Sequence, residues 1–100
     1  MPTGATNPRI LHLTLKKRWF DLISSGVKKE EYRELKPYWH KRLLNHPYDF
    51  IQFRNGYAPE APTILVELLG LSSGLGITEW GAPDGVSVYI LRLGKVSTPS

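Results

Sequence analysis

Apolar and polar positions alternate near the start of the chain. In Ile10-Leu11-His12-Leu13-Thr14-Leu15, Leu11, Leu13 and Leu15 fall on one face and His12 and Thr14 on the other. A period of two predicts a first strand with one buried side. The pattern then turns helical: Trp19, Leu22 and Ile23 stand at i, i+3 and i+4, Phe20 widens the stripe, and Ser24-Ser25-Gly26 supplies a glycine suited to close the helix. Val27 to Leu35 has few large apolar side chains. Alternation sets Lys28, Glu30, Tyr32 and Glu34 against Lys29, Glu31, Arg33 and Leu35, which predicts a polar strand. Pro37 fits the first turn of a second helix, where its missing N–H costs nothing, and Trp39 pairs with Leu43 before Asn45-His46-Pro47 ends it.

Three further strands are predicted: Asp49 to Arg54, closed by the Asn55-Gly56 turn signal, Thr63 to Leu71, and Val86 to Val96. The last two read as apolar on both faces and therefore as buried on both sides. About five to six strands with two short helices predict an α+β domain, a small curled β-barrel with a mixed or antiparallel sheet rather than a doubly wound fold. The domain is expected over 9–96, with 1–8 and 97–100 as flexible termini. Ser72 to Gly85 is long for a plain connection and rich in glycine. It reads either as a lid over the barrel end or as a plug packed through Ile77 and Trp80.

Composition narrows the classes. The chain has 100 residues, 41% hydrophobic and 11% aromatic, enough for one modest core and too few for two. Without cysteine there is no disulfide framework, zinc-thiolate site or thiol nucleophile. His12, His40 and His46 match no ligand spacing, so no metal is expected; Gly74-x-Gly76 alone is no phosphate loop, and no cofactor is expected. No apolar run reaches the roughly 20 residues that cross a bilayer, and Met1 to Thr6 does not resemble a signal peptide. The expectation is a cytoplasmic protein without a membrane partner. The net charge of +4 is concentrated: Lys16 to Arg42 holds nine basic residues against four acids, a net +5, which leaves −1 for the rest. Such a segment is either a solvated face or an anion-binding surface.

The helix followed by Gly26-x-Lys28-x-x-Glu31-x-Arg33 resembles the signature of the ASCH domain family. The order of elements across roughly 10–96 is similar to the PUA-like barrel of that family, and Phe53-Arg54-Asn55-Gly56-Tyr57 resembles a turn of its small phage-type members. The resemblance implies a cleft between the barrel and the first helix, lined by the motif and binding RNA or a nucleotide. It also implies an alternative, a small hydrolase. One group of the family cleaves acylated cytidine nucleosides with a lysine at the position of Lys28 and a threonine two residues before the motif arginine, where this chain has Glu31. Others are described as ribonucleases. A protein-interaction module using the same charged face is a further alternative.

The side chains themselves agree with an anionic ligand. Arg33 offers a planar fork and Lys28 a point charge, with Lys17 and Arg18 nearby in sequence. Glu31 and Arg33 share a strand face and either pair with each other or serve the ligand. Strict alternation puts Lys28 on the opposite face unless the glycine turn swings it round. Tyr32 and Trp80 are candidate stacking platforms for a base, whereas Trp39 belongs with Leu43 in the core. In a hydrolase, Lys28 would polarise the substrate while Glu31 or Glu67 moves the proton. Glu67, alone in the run Ile64 to Leu69, otherwise faces solvent beside Thr63.

Overall fold

The computed structural model describes residues 7–97. Along the chain run β1 (Ile10–Leu15), α1 (Lys17–Ser24), β2 (Glu30–Glu34), α2 (Pro37–Leu43), β3 (Phe50–Asn55), β4 (Thr63–Gly74) and β5 (Val88–Ser97), with a 3-10 turn at Thr78–Trp80 between the last two strands. The strands form one sheet in the order β1-β3-β4-β5-β2. β1 and β3 are parallel and the other neighbours antiparallel. The chain is a small α+β domain with two helices and a five-stranded, curled, mixed sheet forming a half-barrel.

Side chains that alternate along the strands build its core. Leu11 and Leu13 of β1 stand in register with Ile51 and Phe53 of β3, which face Val66 and Ile64 of β4. All six are buried, with Phe20 and Ile23 of α1 and Leu43 of α2 packed into the same cluster. β1 and β2 lie at opposite edges of the sheet, yet Thr14 and Leu15 line the same cavity as Glu31, Tyr32 and Arg33. The sheet therefore curls until its edges face one another. Two register shifts between β4 and β5, at Val66/Leu68 and Leu68/Gly70, supply the irregularity that bends paired strands.

Several expectations need correction. β4 and β5 are covered on one side only: Ile64 and Val66 are buried, while Glu67, Leu69 and Leu71 are exposed. An apolar run on a curled sheet can leave its convex side in water, because no second layer packs there. β4 continues through Ser72, Ser73 and Gly74, paired with Ile90, Tyr89 and Val88, so the connection to β5 is shorter than Ser72 to Gly85. The polar strand begins at Glu30 rather than Val27, because Val27 to Lys29 belong to the helix exit. Ser97, expected in a flexible tail, is paired with Leu65 as the last residue of β5. Of the other terminal positions, 1–6 and 98–100 lie outside the described residues, and Asn7 and Pro8 are exposed and irregular.

The exit from α1 decides where Lys28 points. Gly26 sits at φ +84°, and the N–H groups of Val27 and Lys28 both donate to the Leu22 carbonyl, at 3.0 and 2.9 Å. This glycine-closed helix end turns the chain sharply and aims Lys28 before β2 starts. A Cβ at Gly26 meets nothing within 4 Å, so a side chain there is opposed by backbone conformation and not by crowding. Gly26→Ala should cost about 1–2 kcal/mol and Gly26→Asn distinctly less, since asparagine enters the left-handed region more readily. Urea unfolding midpoints of the two variants would measure the difference.

Candidate functional site

Between the facing edges of the sheet lies a cavity of about 570 Å³. β1 and the start of α1 contribute Thr14, Leu15, Lys16 and Trp19; Lys28 and β2 contribute the motif side chains; Gly56, Tyr57, Trp80 and Gly81 close the rim. The volume falls within the range of small-molecule sites.

Lys28 and Glu31 form the floor, with side chains only 1% and 6% exposed. Lys28 Nζ is 2.9 Å from Glu31 Oε1 and donates to the Trp80 carbonyl. The ammonium also stands 5.0 Å from the ring centroids of both Trp19 and Tyr32, where the faces of aromatic rings stabilise a cation. The second oxygen of Glu31, Oε2, lies 2.8 Å from the Arg33 guanidinium. The turn at Gly26 thus brings Lys28 to the face that alternation alone denied it. Burial holds the Lys28 amine below the usual lysine range, although Glu31 opposes that shift.

Arg33 is the more open cation. Its NH2 is close enough to Glu31 for an ion pair but is not aligned for a hydrogen bond, and both Nε and NH2 are covered without a hydrogen-bond partner. Trp39 lies 5.2 Å from its Cζ, so an aromatic face supports the guanidinium from the α2 side.

Tyr32 is mostly buried, with Ala82 and Val88 in a second cluster beside Trp80. Its hydroxyl donates to Glu30 Oε1 at 2.7 Å and accepts from the Ile77 N–H at 3.0 Å. Its ring also explains Gly76, where a Cβ would come within 2.5 Å of Tyr32 Cε1. The loop after β4 is therefore tied to β2 at Gly76, at Ile77 and, through the Lys28 ammonium, at Trp80. Ala82 provides the buried plug, while Ile77 stays exposed and Trp80 half-buried at the cleft rim.

The remaining expected site residues lie elsewhere. Lys17 is exposed and paired with Asp21 one turn along α1, and Arg18 stacks on Trp19 at 4.8 Å; neither lines the cleft. Glu67 is on the convex side of the sheet, accepting the Lys95 N–H at 2.9 Å, which takes it out of the cleft chemistry. Sequence reasoning missed Lys16, Trp19 and Tyr57. Helical spacing assigns Trp19 to the core, but it sits half-buried between that core and the Lys28 ammonium. Among the described residues, no group of three or more acidic or histidine side chains is placed to hold a metal ion. No described helix is long and apolar enough to cross a membrane.

Removing one member of a buried ion pair typically costs about 3–5 kcal/mol, because the other charge is left without water or partner. Glu31→Leu strands both Lys28 and Arg33, whereas Lys28→Met leaves Glu31 still paired with Arg33. Denaturant unfolding should therefore show Glu31→Leu to be the more destabilising of the two. A separate effect is expected in alkali. Desolvation, the largest cause, pushes the Tyr32 phenol up to about 12 from its ordinary value of 10.0, so between these pH values the unfolded chain has lost a proton that the folded chain keeps. Stability contributed by the neutral phenol is whole below pH 10 and is lost towards pH 12, by on the order of 2–3 kcal/mol. Urea midpoints from pH 9 to 12 should fall through this window, and Tyr32→Phe should flatten that fall.

No family model, curated protein or solved structure matches the chain, so the reading of the cleft stands on its own residues.

Proposed function

We propose that the domain binds a nucleotide or single-stranded RNA in the cleft between β1 and β2, with the phosphate at Arg33 and Lys16 and the base against the indole and phenol rings at the rim. One observation carries the reading: a cavity of nucleotide-compatible size is lined by three cations, Lys16, Lys28 and Arg33, against a single carboxylate, Glu31, and by the aromatic rings of Trp19, Tyr57 and Trp80. Cations with aromatic faces are the combination that holds a charged backbone and stacks its bases. The resemblance of Gly26, Lys28, Glu31 and Arg33 to the ASCH signature, and of the order of elements along the sequence to a PUA-like barrel, supports the same ligand.

Within the cleft the charges divide by role. Lys28 is committed to Glu31 and to the Trp80 carbonyl and acts mainly as an internal counter-ion that fixes the floor. Arg33, with a fifth of its side chain exposed, and Lys16, which is exposed at the mouth, are the groups available to a phosphate. Arginine suits this position because its planar fork can hold Glu31 and still present a second edge.

A second reading, a hydrolase for an acylated nucleoside or for RNA, is favoured by one feature: a lysine and a carboxylate in contact inside a cleft, with the amine shifted towards neutrality by burial. The near-complete covering of both groups favours binding over chemistry.

Titration of the domain with uridine monophosphate and with fluorescein-labelled oligouridylate should show binding that weakens as salt rises, with a slope in log K of about −0.7 for each phosphate neutralised. Arg33→Gln should weaken both ligands by roughly tenfold or more, the loss of a charge-assisted hydrogen bond. No binding of either ligand at low salt would overturn the proposal. Release of free acid from N-acylated cytidine, abolished by Lys28→Ala, would replace it with the hydrolase.

A further inference from the structure

The cleft does not end at Arg33. A second recess, of about 260 Å³, opens on the α2 side, and Thr14, Arg33 and Tyr57 line both cavities. The two therefore adjoin along these three residues, with Arg33 at the threshold between them. His12, Tyr38, Trp39 and Arg42 complete the second recess. None of these four side chains lines the first cleft.

The chemistry of the recess is one-sided. Arg42 is directed to neutral acceptors, with NH1 donating to the Tyr38 hydroxyl at 3.2 Å and NH2 to the His12 carbonyl at 3.3 Å. Among the described residues it pairs with no carboxylate, and no acidic side chain lines the recess. The Trp39 ring stands 5.2 Å from Arg33 Cζ and 5.4 Å from Arg42 Cζ, so one indole holds both guanidinium groups in the same depression. Two like charges gathered this way favour an anion beside them. Over the rim, Tyr57 is 88% exposed and Tyr38 61% exposed. Large aromatic rings left in water beside paired arginines are the surface on which a base stacks.

Resting on the proposed nucleic-acid function of the first cleft, we propose that the recess between β1 and α2 is a second nucleotide subsite, so that the ligand is a single strand of at least two nucleotides and not a mononucleotide. The strand crosses the Arg33 threshold with a phosphodiester between Arg33 and Arg42, and the neighbouring base lies against Tyr38. The adjoining cavities give the path, the guanidinium pair gives the phosphate site, and the exposed ring gives the platform.

The test compares uridine monophosphate, the dinucleotide pUpU and pentauridylate on the same protein. The second nucleotide should raise affinity at least fivefold, the lower bound for one stacked base, and should steepen the salt slope by about 0.7 for the added phosphate contact. Tyr38→Ala should remove the fivefold gain for pUpU, and Tyr38→Phe should keep it. Arg42→Gln should remove the added salt slope. Neither Tyr38 nor Arg42 lines the first cleft, so binding of the monophosphate should be unchanged in all three variants. Because Arg42 also ties α2 to β1, the Tyr38 pair decides the matter if Arg42→Gln unfolds. Equal affinity for monophosphate and dinucleotide, with both Tyr38 variants silent, would overturn the second subsite and leave the first cleft standing. Failure of every ligand to bind would overturn both.

Discussion

Two opposite charges, Lys28 and Glu31, meet 2.9 Å apart with almost no access to water, and much of the surrounding architecture exists to make that tolerable. Removing each ion from water costs several kcal/mol, which mutual attraction offsets only when geometry is good and the remaining donors and acceptors find partners. Three parts of the chain meet that requirement. The end of α1 aims the lysine, β2 holds the carboxylate in register with Leu91, and the loop after β4 lends a backbone carbonyl at Trp80. Trp19 and Tyr32 supply aromatic faces to the ammonium. A hydrophobic pair of similar size would satisfy the same space at lower cost. Holding such a charge pair at the floor of a cavity is thus a commitment to electrostatics at that place more than to stability.

The pair also orders the charges around it. Glu31 spends one oxygen on Lys28 and the other on Arg33, so the triad carries one net positive charge fixed in a low-dielectric floor. Arg33 leans outward from it, and Trp39 passes the same support to Arg42 beyond. Charge therefore becomes more available from floor to rim, from a lysine wholly engaged to an arginine facing only neutral acceptors. This gradient is a property of side-chain commitment, and net charge along the sequence does not reveal it. Lys17 illustrates the difference: it belongs to the same basic segment yet is paired with Asp21 on an outward helix face.

Elements were legible where the local pattern is decisive. The period of two in Leu11, Leu13 and Leu15, the helical spacing of Trp19, Leu22 and Ile23, Pro37 at the start of α2 and Asn55-Gly56 after β3 all mark structure that short-range sterics and one-sided burial dictate. Glu31 and Arg33 on one face followed from the same logic. What failed depended on partners far along the chain. Leu69 and Leu71 read as buried because apolar residues usually are, but burial needs a second layer, and the sequence of β4 does not say whether one is present. Ser72 to Gly74 read as loop, although β5 offers them a ladder. Trp80 gave no sign that its backbone carbonyl serves Lys28. The recess at α2 was hidden for a related reason, since His12, Arg42 and Tyr57 come together only through the curl of the sheet.

The strand order has a consequence for how the site comes into being. β2 has one neighbour in the sheet, β5, which is the last strand in chain order. Until β5 is available, Glu31 and Arg33 have no ladder to hold them and Lys28 has no floor to join, even though the helix that aims Lys28 is among the first elements made. The cleft is therefore assembled by a long-range closure, the kind of contact that forms slowly because much chain must be ordered before it is rewarded. During synthesis the β1–β3–β4 part of the sheet can pair while β2 still lacks its only neighbour among the described strands. The cleft thus closes late, and any event that peels β5 from the sheet, such as cleavage between Ala82 and Ser87, dismantles it without touching a single residue that lines it.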